Sequence, residues 1–191
     1  MSSDRHHVDL KLWRDNSFFK RQHRLKLQFW EILSRVAENI SDKSLQKIRS
    51  KHKSKKLSRG NDLLGMPYHV LDIIRDFNPK SGLNIRVLNW FGNGLYLQIL
   101  TGNENSEKVY NFLYENSFFY GMTDSPWDYP GLILENQKTN SPDINQFSKE
   151  ELQVWLKEIK IEGDESEIIK TISQNISALI EQFSKIFGEE K

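Results

Sequence analysis

The sequence predicts an α+β fold: a small antiparallel sheet built on a central β-hairpin and packed by N-terminal and C-terminal helices. Three observations predict it. LNIRVLNWF and LYLQILTG, two runs rich in β-branched, aromatic and leucine residues, flank Gly92-Asn93-Gly94, and glycine and asparagine tolerate the positive φ of tight hairpin turns. LKLQFWEILSRVAENI, residues 25–40, repeats apolar residues at helical spacing through Phe29, Leu33, Val36 and Ile40. Near the C-terminus Ile169, Ile172, Ile176, Leu179, Phe183 and Ile186 recur at alternating steps of three and four, a heptad seam.

Composition sets the limits. The 191 residues suit a single α+β domain, 1–191. Within it the sequence divides into a basic helical segment over 1–60, a hairpin-centred sheet region over 61–135 and C-terminal helices over 148–188. Aromatic residues make up 12% of the chain, which supplies a core and excludes global disorder. With no cysteine, a disulfide framework, a thiol nucleophile and a cysteine-ligated zinc are excluded. The N-terminal stretch alternates charged and apolar residues, without the apolar core of a secretion signal. No stretch approaches the roughly 20 apolar residues of a membrane helix. A soluble cytoplasmic protein with no membrane partner is expected.

The elements follow in order. After the 25–40 helix, Ser41 caps a second helix with no breaker before Gly60; Leu45 and Ile48 give it a thin apolar stripe on a basic surface. Gly60, Gly65 and Pro67 interrupt any helix. Residues 68–74, YHVLDII, read as a short buried strand or a helical turn, since periodicity does not separate the two. Asn78 to Gly82 is a turn. Neither face of the 84–101 hairpin is cleanly polar, so cover on both sides is expected. Residues 104–115 form a short helix with Val109, Phe112 and Leu113 on one face. The aromatic loop 117–131 should pack down on the rest of the chain. Leu132-Ile133-Leu134 suits a third strand, and 137–146 a polar linker. Ser148 and Glu151 form a capping box that opens a helix over KEELQVWLKEIK. The seam that follows is short for a free coiled coil, so packing inside the chain, most simply on the 25–40 helix, is expected. A homodimer through 169–186 is the alternative.

The net charge of +1 conceals an asymmetry: residues 1–61 contain 16 Lys+Arg against 6 Asp+Glu, and residues 62–191 contain 11 against 20. Either the basic segment docks on the acidic half, the simpler reading, or it faces an anionic ligand or protein partner. Lys51, Lys53, Lys55, Lys56 and Arg59 are the candidate anion- or partner-binding residues. They belong to a run from Lys43 to Arg59 that has no acid. Such a run attracts phosphates by charge alone, but no zinc-finger or RNP-like signature accompanies it.

Chemistry-bearing patterns are sparse. Gly60 and Gly65 have the offset of a phosphate loop, but Met66-Pro67 stand where Lys and Ser/Thr are needed, so a structural turn is expected. A candidate pocket gathers Asn61, Tyr68, His69, Asp72, Trp90, Trp127 and Asp128 between the hairpin, the 60–72 segment and the aromatic loop. In it Tyr68, His69, Asp72, Asp124 and Asp128 are the acid/base candidates. Ordinary turn chemistry also accounts for Asp124 and Asp128. The histidines form no metal-ligand pattern, and neither a metal nor a cofactor is expected.

KLSRGNDLLGMPYHVLD (56–72), followed by IRVLNWFGNGLYLQIL (85–100), resembles an uncharacterised bacterial family that joins a similar Gly-Asn…Gly-x-Pro-Tyr-x-Val-Leu-Asp segment to a tryptophan-rich hairpin. The resemblance spans roughly a quarter of the chain and implies no activity. It directs attention to Arg59, Gly60, Asn61, Gly65, Pro67, Tyr68 and Asp72. The function expected is a non-enzymatic binding or interaction module. A small enzyme using the candidate pocket and a nonspecific nucleic-acid binder using residues 43–59 are the alternatives.

Overall fold

The structure, a computed structural model, describes residues 8–50, 53–143 and 152–188. Helices α1 (Leu10–Trp13), α2 (Asn16–Asn39) and α3 (Asp42–Ile48) lead into four consecutive strands: β1 (Lys56–Leu63), β2 (Met66–Asp76), β3 (Leu83–Trp90) and β4 (Gly94–Thr101). Next come α4 (Asn103–Glu115), β5 (Phe119–Gly121), α5 (Tyr129–Ile133), β6 (Lys138–Thr139), β7 (Gln153–Glu158) and α6 (Glu165–Gly188). The seven strands form one antiparallel sheet in the order β1-β2-β3-β4-β7-β5-β6. The α+β fold is as the sequence predicts.

Side chains alternate across a strand, and here the alternation separates two unequal covers. Leu71, Ile85, Val87, Leu97, Ile99 and Trp155 point to one face, where α2, α3, α4 and α6 build the large core. Val70, Leu88, Trp90, Leu100, Val154 and Leu156 point to the other, beneath Tyr129, Leu132 and Ile133. The first is called the helix face and the second the loop face. The central hairpin is covered on both sides: every residue of β3 is buried, its polar Asn84, Arg86 and Asn89 included. The seam of α6 packs inside the chain: Ile172, Ile176, Leu179 and Phe183 are buried, against α2 and α3 among others. A homodimer through the seam would have to displace these contacts.

Three expectations need correction. The second helix ends at Ile48 instead of reaching Gly60, because no apolar residue from Arg49 to Lys56 can hold a helix on the core. From Lys56 the chain is a strand, paired with β2 from Lys56↔Asp72 to Leu63↔Met66. Residues 55–72 are therefore mostly a β-hairpin, with Leu64 (φ 52°) and Gly65 (φ 77°) both left-handed in a two-residue turn. QVWLKE is strand β7, not a helix. Its Val-Trp-Leu core pairs with β4 and is buried on both faces, a gain that outweighs local helix propensity. Ser148, Glu151 and Lys51 lie outside the described residues. Leu132-Ile133 belong to α5, not to a strand, because Asp128 accepts from the Gly131 N–H at 3.0 Å and Pro130 sits in the first turn.

Candidate functional site

Two polar sites flank the sheet. The first is a cleft of about 240 Å³ on the helix face, between α2 and the β1–β2 hairpin. His23, Lys26, Leu27 and Trp30 reach it from one side of α2, as spacings of three and four dictate. Arg59 and Asn61 come from β1, and Pro67 and His69 from β2. Arg59 and His69 are directly paired across the strands. The Arg59 guanidinium lies over the Trp30 ring at 5.5 Å from its centroid.

His69 forms the floor. It is 3% exposed and meets Trp30 and Phe91 edge to face, with centroids at 5.6 and 5.1 Å. Its Nδ1 is buried and has no hydrogen-bond partner among the described residues; neither has Nδ2 of Asn89, the residue paired with it on β3. Burial first, then repulsion from Arg59 and from Lys26, lowers the pKa of His69 from 6.5 to about 4. The imidazole is therefore neutral at pH 7. The cleft combines cations at its mouth with an unsatisfied neutral ring at its base, an arrangement suited to holding an anion.

The second site is on the loop face. Arg86 donates from Nε to Asp72 Oδ1 and from Nη1 to the Tyr129 hydroxyl, both at 2.7 Å. Asn84 Nδ2 donates to the same Asp72 oxygen at 3.2 Å and to the Ile74 carbonyl at 2.7 Å. Trp127 and Phe77 lie over the guanidinium at 4.8 and 5.8 Å. Burial works against the Arg86 charge, but the Asp72 hydrogen bond, with Tyr129, outweighs it and raises the pKa above its ordinary value. Burial raises the Tyr129 phenol as well, against the pull of Arg86. Ring packing and the ion pair together fasten the aromatic loop to the sheet.

The sheet thus divides the pocket expected from sequence. Asn61 and His69 line the helix-face cleft. Tyr68, Asp72, Trp90 and Trp127 belong to the loop face or its cover, and Asp128 caps α5. His69 and Asp72 point to opposite faces, as residues three apart on a strand must. His69 is therefore separated from Tyr68 and Asp72, which both lie near Tyr129 on the loop face. Gly60 serves packing: an added Cβ would come within 2.3 Å of the Tyr68 ring. Trp90 Nε1 donates to the Leu63 carbonyl at 3.2 Å.

The lysines separate too. Lys53 and Lys56 are exposed, with Lys56 opposite Asp72 on the loop face. Lys55 is held by the Ile40 carbonyl and by Asp42 at 3.2 Å. Of the candidate cations among the described residues, Arg59 alone lines the cleft. Docking of the basic segment on the acidic half is limited among the described residues: Arg35 pairs with Glu165 at 3.1 Å and Arg49 with Asp76 at 3.7 Å. The sequence reading missed His23, Lys26 and Trp30, although their spacing on one helix flank was legible, and it also missed Arg86 and Tyr129. The chain matches no protein-family model, no curated protein and no solved structure.

Proposed function

We propose that the protein is a binding module that takes a small anion, of the phosphate or carboxylate class, in the cleft between α2 and β1. The observation that carries this reading is the meeting of Arg59, Lys26 and His23 over a buried His69 whose Nδ1 has no partner. Among the described residues no carboxylate lines the cleft. Its volume of about 240 Å³ is below the usual range for drug-sized ligands, which favours a simple anion or the anionic head of a longer molecule. A cytoplasmic setting is the reading that the cysteine-free composition suits.

Titrating inorganic phosphate by calorimetry tests the proposal. Hydrogen bonds to charged groups contribute about 1.5–3 kcal/mol, so Arg59→Ala should weaken binding by roughly 10- to 100-fold, and Lys26→Ala by less. Lys53→Glu, outside the cleft, should leave it unchanged. Equal affinity in the Arg59→Ala and native proteins would refute the reading.

A further inference from the structure

The end of the molecule next to the cleft presents an unusual surface. Every residue from Val8 to Leu25, through α1 and the first turns of α2, is exposed, including Trp13 at 66%, Phe18 at 42% and Leu25 at 44%. The β1–β2 turn reaches the same end and exposes Leu64 at 64% and Met66 at 47%. Leu64 has a φ of 52°, where glycine or asparagine is the usual occupant of such a turn. An apolar side chain exposed at the tip of a hairpin, on a backbone that disfavours it, is a feature associated with function. An open groove of about 660 Å³ joins the two elements, with Phe18, Leu25, Met66 and Phe91 as its apolar lining and Arg21 and Arg24 beside them.

Charge indicates what covers this surface. Lys11, Lys20, Arg21, Arg24 and Lys26 form no ion pair among the described residues. The nearby acids have local roles: Asp9 and Asp15 cap α1 and α2, and Asp62 accepts from the Gly65 N–H at 2.9 Å. A second copy meeting this surface symmetrically would bring like charges together. A nucleic acid would satisfy the cations, and unpaired bases could stack on the exposed rings, but it offers nothing to Leu25, Leu64 and Met66. An anionic phospholipid carries both complements in one molecule, acyl chains for the groove and a phosphate for the arginines. Basic residues interleaved with Trp, Phe and Leu are the composition of helices that lie in a membrane interface.

We propose that this end of the molecule docks on an anionic phospholipid surface. It does so without spanning it; no helix among the described residues is long and apolar enough to cross a membrane. The proposal departs from the sequence expectation that no membrane is involved, because the exposure of residues 8–25 and of the Leu64 tip emerges only in the fold.

Co-sedimentation of the full chain with vesicles tests it. Vesicles of phosphatidylcholine mixed with phosphatidylglycerol should bind the protein, phosphatidylcholine alone should not, and salt should weaken the binding. Arg21→Glu combined with Arg24→Glu should lower binding on the order of tenfold or more. Leu64→Asn, which suits the turn and so keeps the fold, should lower it severalfold with the circular dichroism spectrum unchanged. Failure of the native protein to bind mixed vesicles, or equal binding to both kinds, would overturn the proposal. So would soluble polyglutamate competing fully with the vesicles, since the target would then be an acidic polypeptide.

Discussion

Acidification provides a direct probe of the cleft. His69 has a pKa of about 4 in the folded chain against 6.5 for a free imidazole. The groups around it are Lys26 and Trp30 from α2, Arg59 from β1, and Asn89 and Phe91 from the β3 strand and its turn. None is an acid that would stabilise an imidazolium. Because the folded value is depressed, the unfolded chain takes up the proton first as pH falls below 6.5. The contribution of neutral His69 is fully present above that pH and is lost progressively down to about 4. At about 1.36 kcal/mol per pH unit the loss has a ceiling of about 3 kcal/mol, and screening at the cleft mouth reduces it to about 1–2 kcal/mol. Urea midpoints of the native protein and of His69→Phe, measured across this range, isolate the effect. The variant keeps the ring contacts with Trp30 and Phe91 but has nothing to titrate, so its profile should be flatter by that amount. Phosphate should flatten the native profile too, because a bound anion favours the protonated ring. Parallel profiles for the two proteins would refute the placement of His69 in a dry, cationic cleft.

Asp72→Asn leaves Arg86 charged, buried and without its carboxylate, and should cost about 3–5 kcal/mol in chemical denaturation. Arg86→Met combined with Asp72→Asn should cost clearly less than the two single changes added together, because neither charge then remains alone. Phe183→Ala opens a void in the α6 seam and should lower stability by about 3–5 kcal/mol. The denaturation midpoint of that variant and of the native protein should not depend on protein concentration, as it would if the seam held a dimer together.

Legibility in the sequence followed the range of the interaction. The 83–101 hairpin, α4 and the C-terminal amphipathic helix were readable because turn residues and apolar spacing sit within each segment. The β1–β2 hairpin was missed because Leu64-Gly65 lacks the polar residue that usually announces such a turn. β7 was misread because Gln153–Glu158 is short, and six residues with a Val-Trp-Leu centre fit either a helix or a strand. Among the candidate residues, Arg59, Asn61 and His69 did come together, since they lie on adjacent strands. Asp72 and Trp90 did not join them because the parity of their positions sends them through the sheet to its other side.

The sequence by itself determined the fold class, the segregation of charge and the segments able to bury an apolar face, since each depends on residue type and local period. Tertiary structure decided which strand lies beside which, which face each polar side chain occupies and where the cations lie unpaired. Those outcomes depend on contacts between segments distant along the chain. β7 is a strand because β4 offers it an edge, and His69 lies in a cationic cleft because α2 crosses the β1–β2 hairpin there.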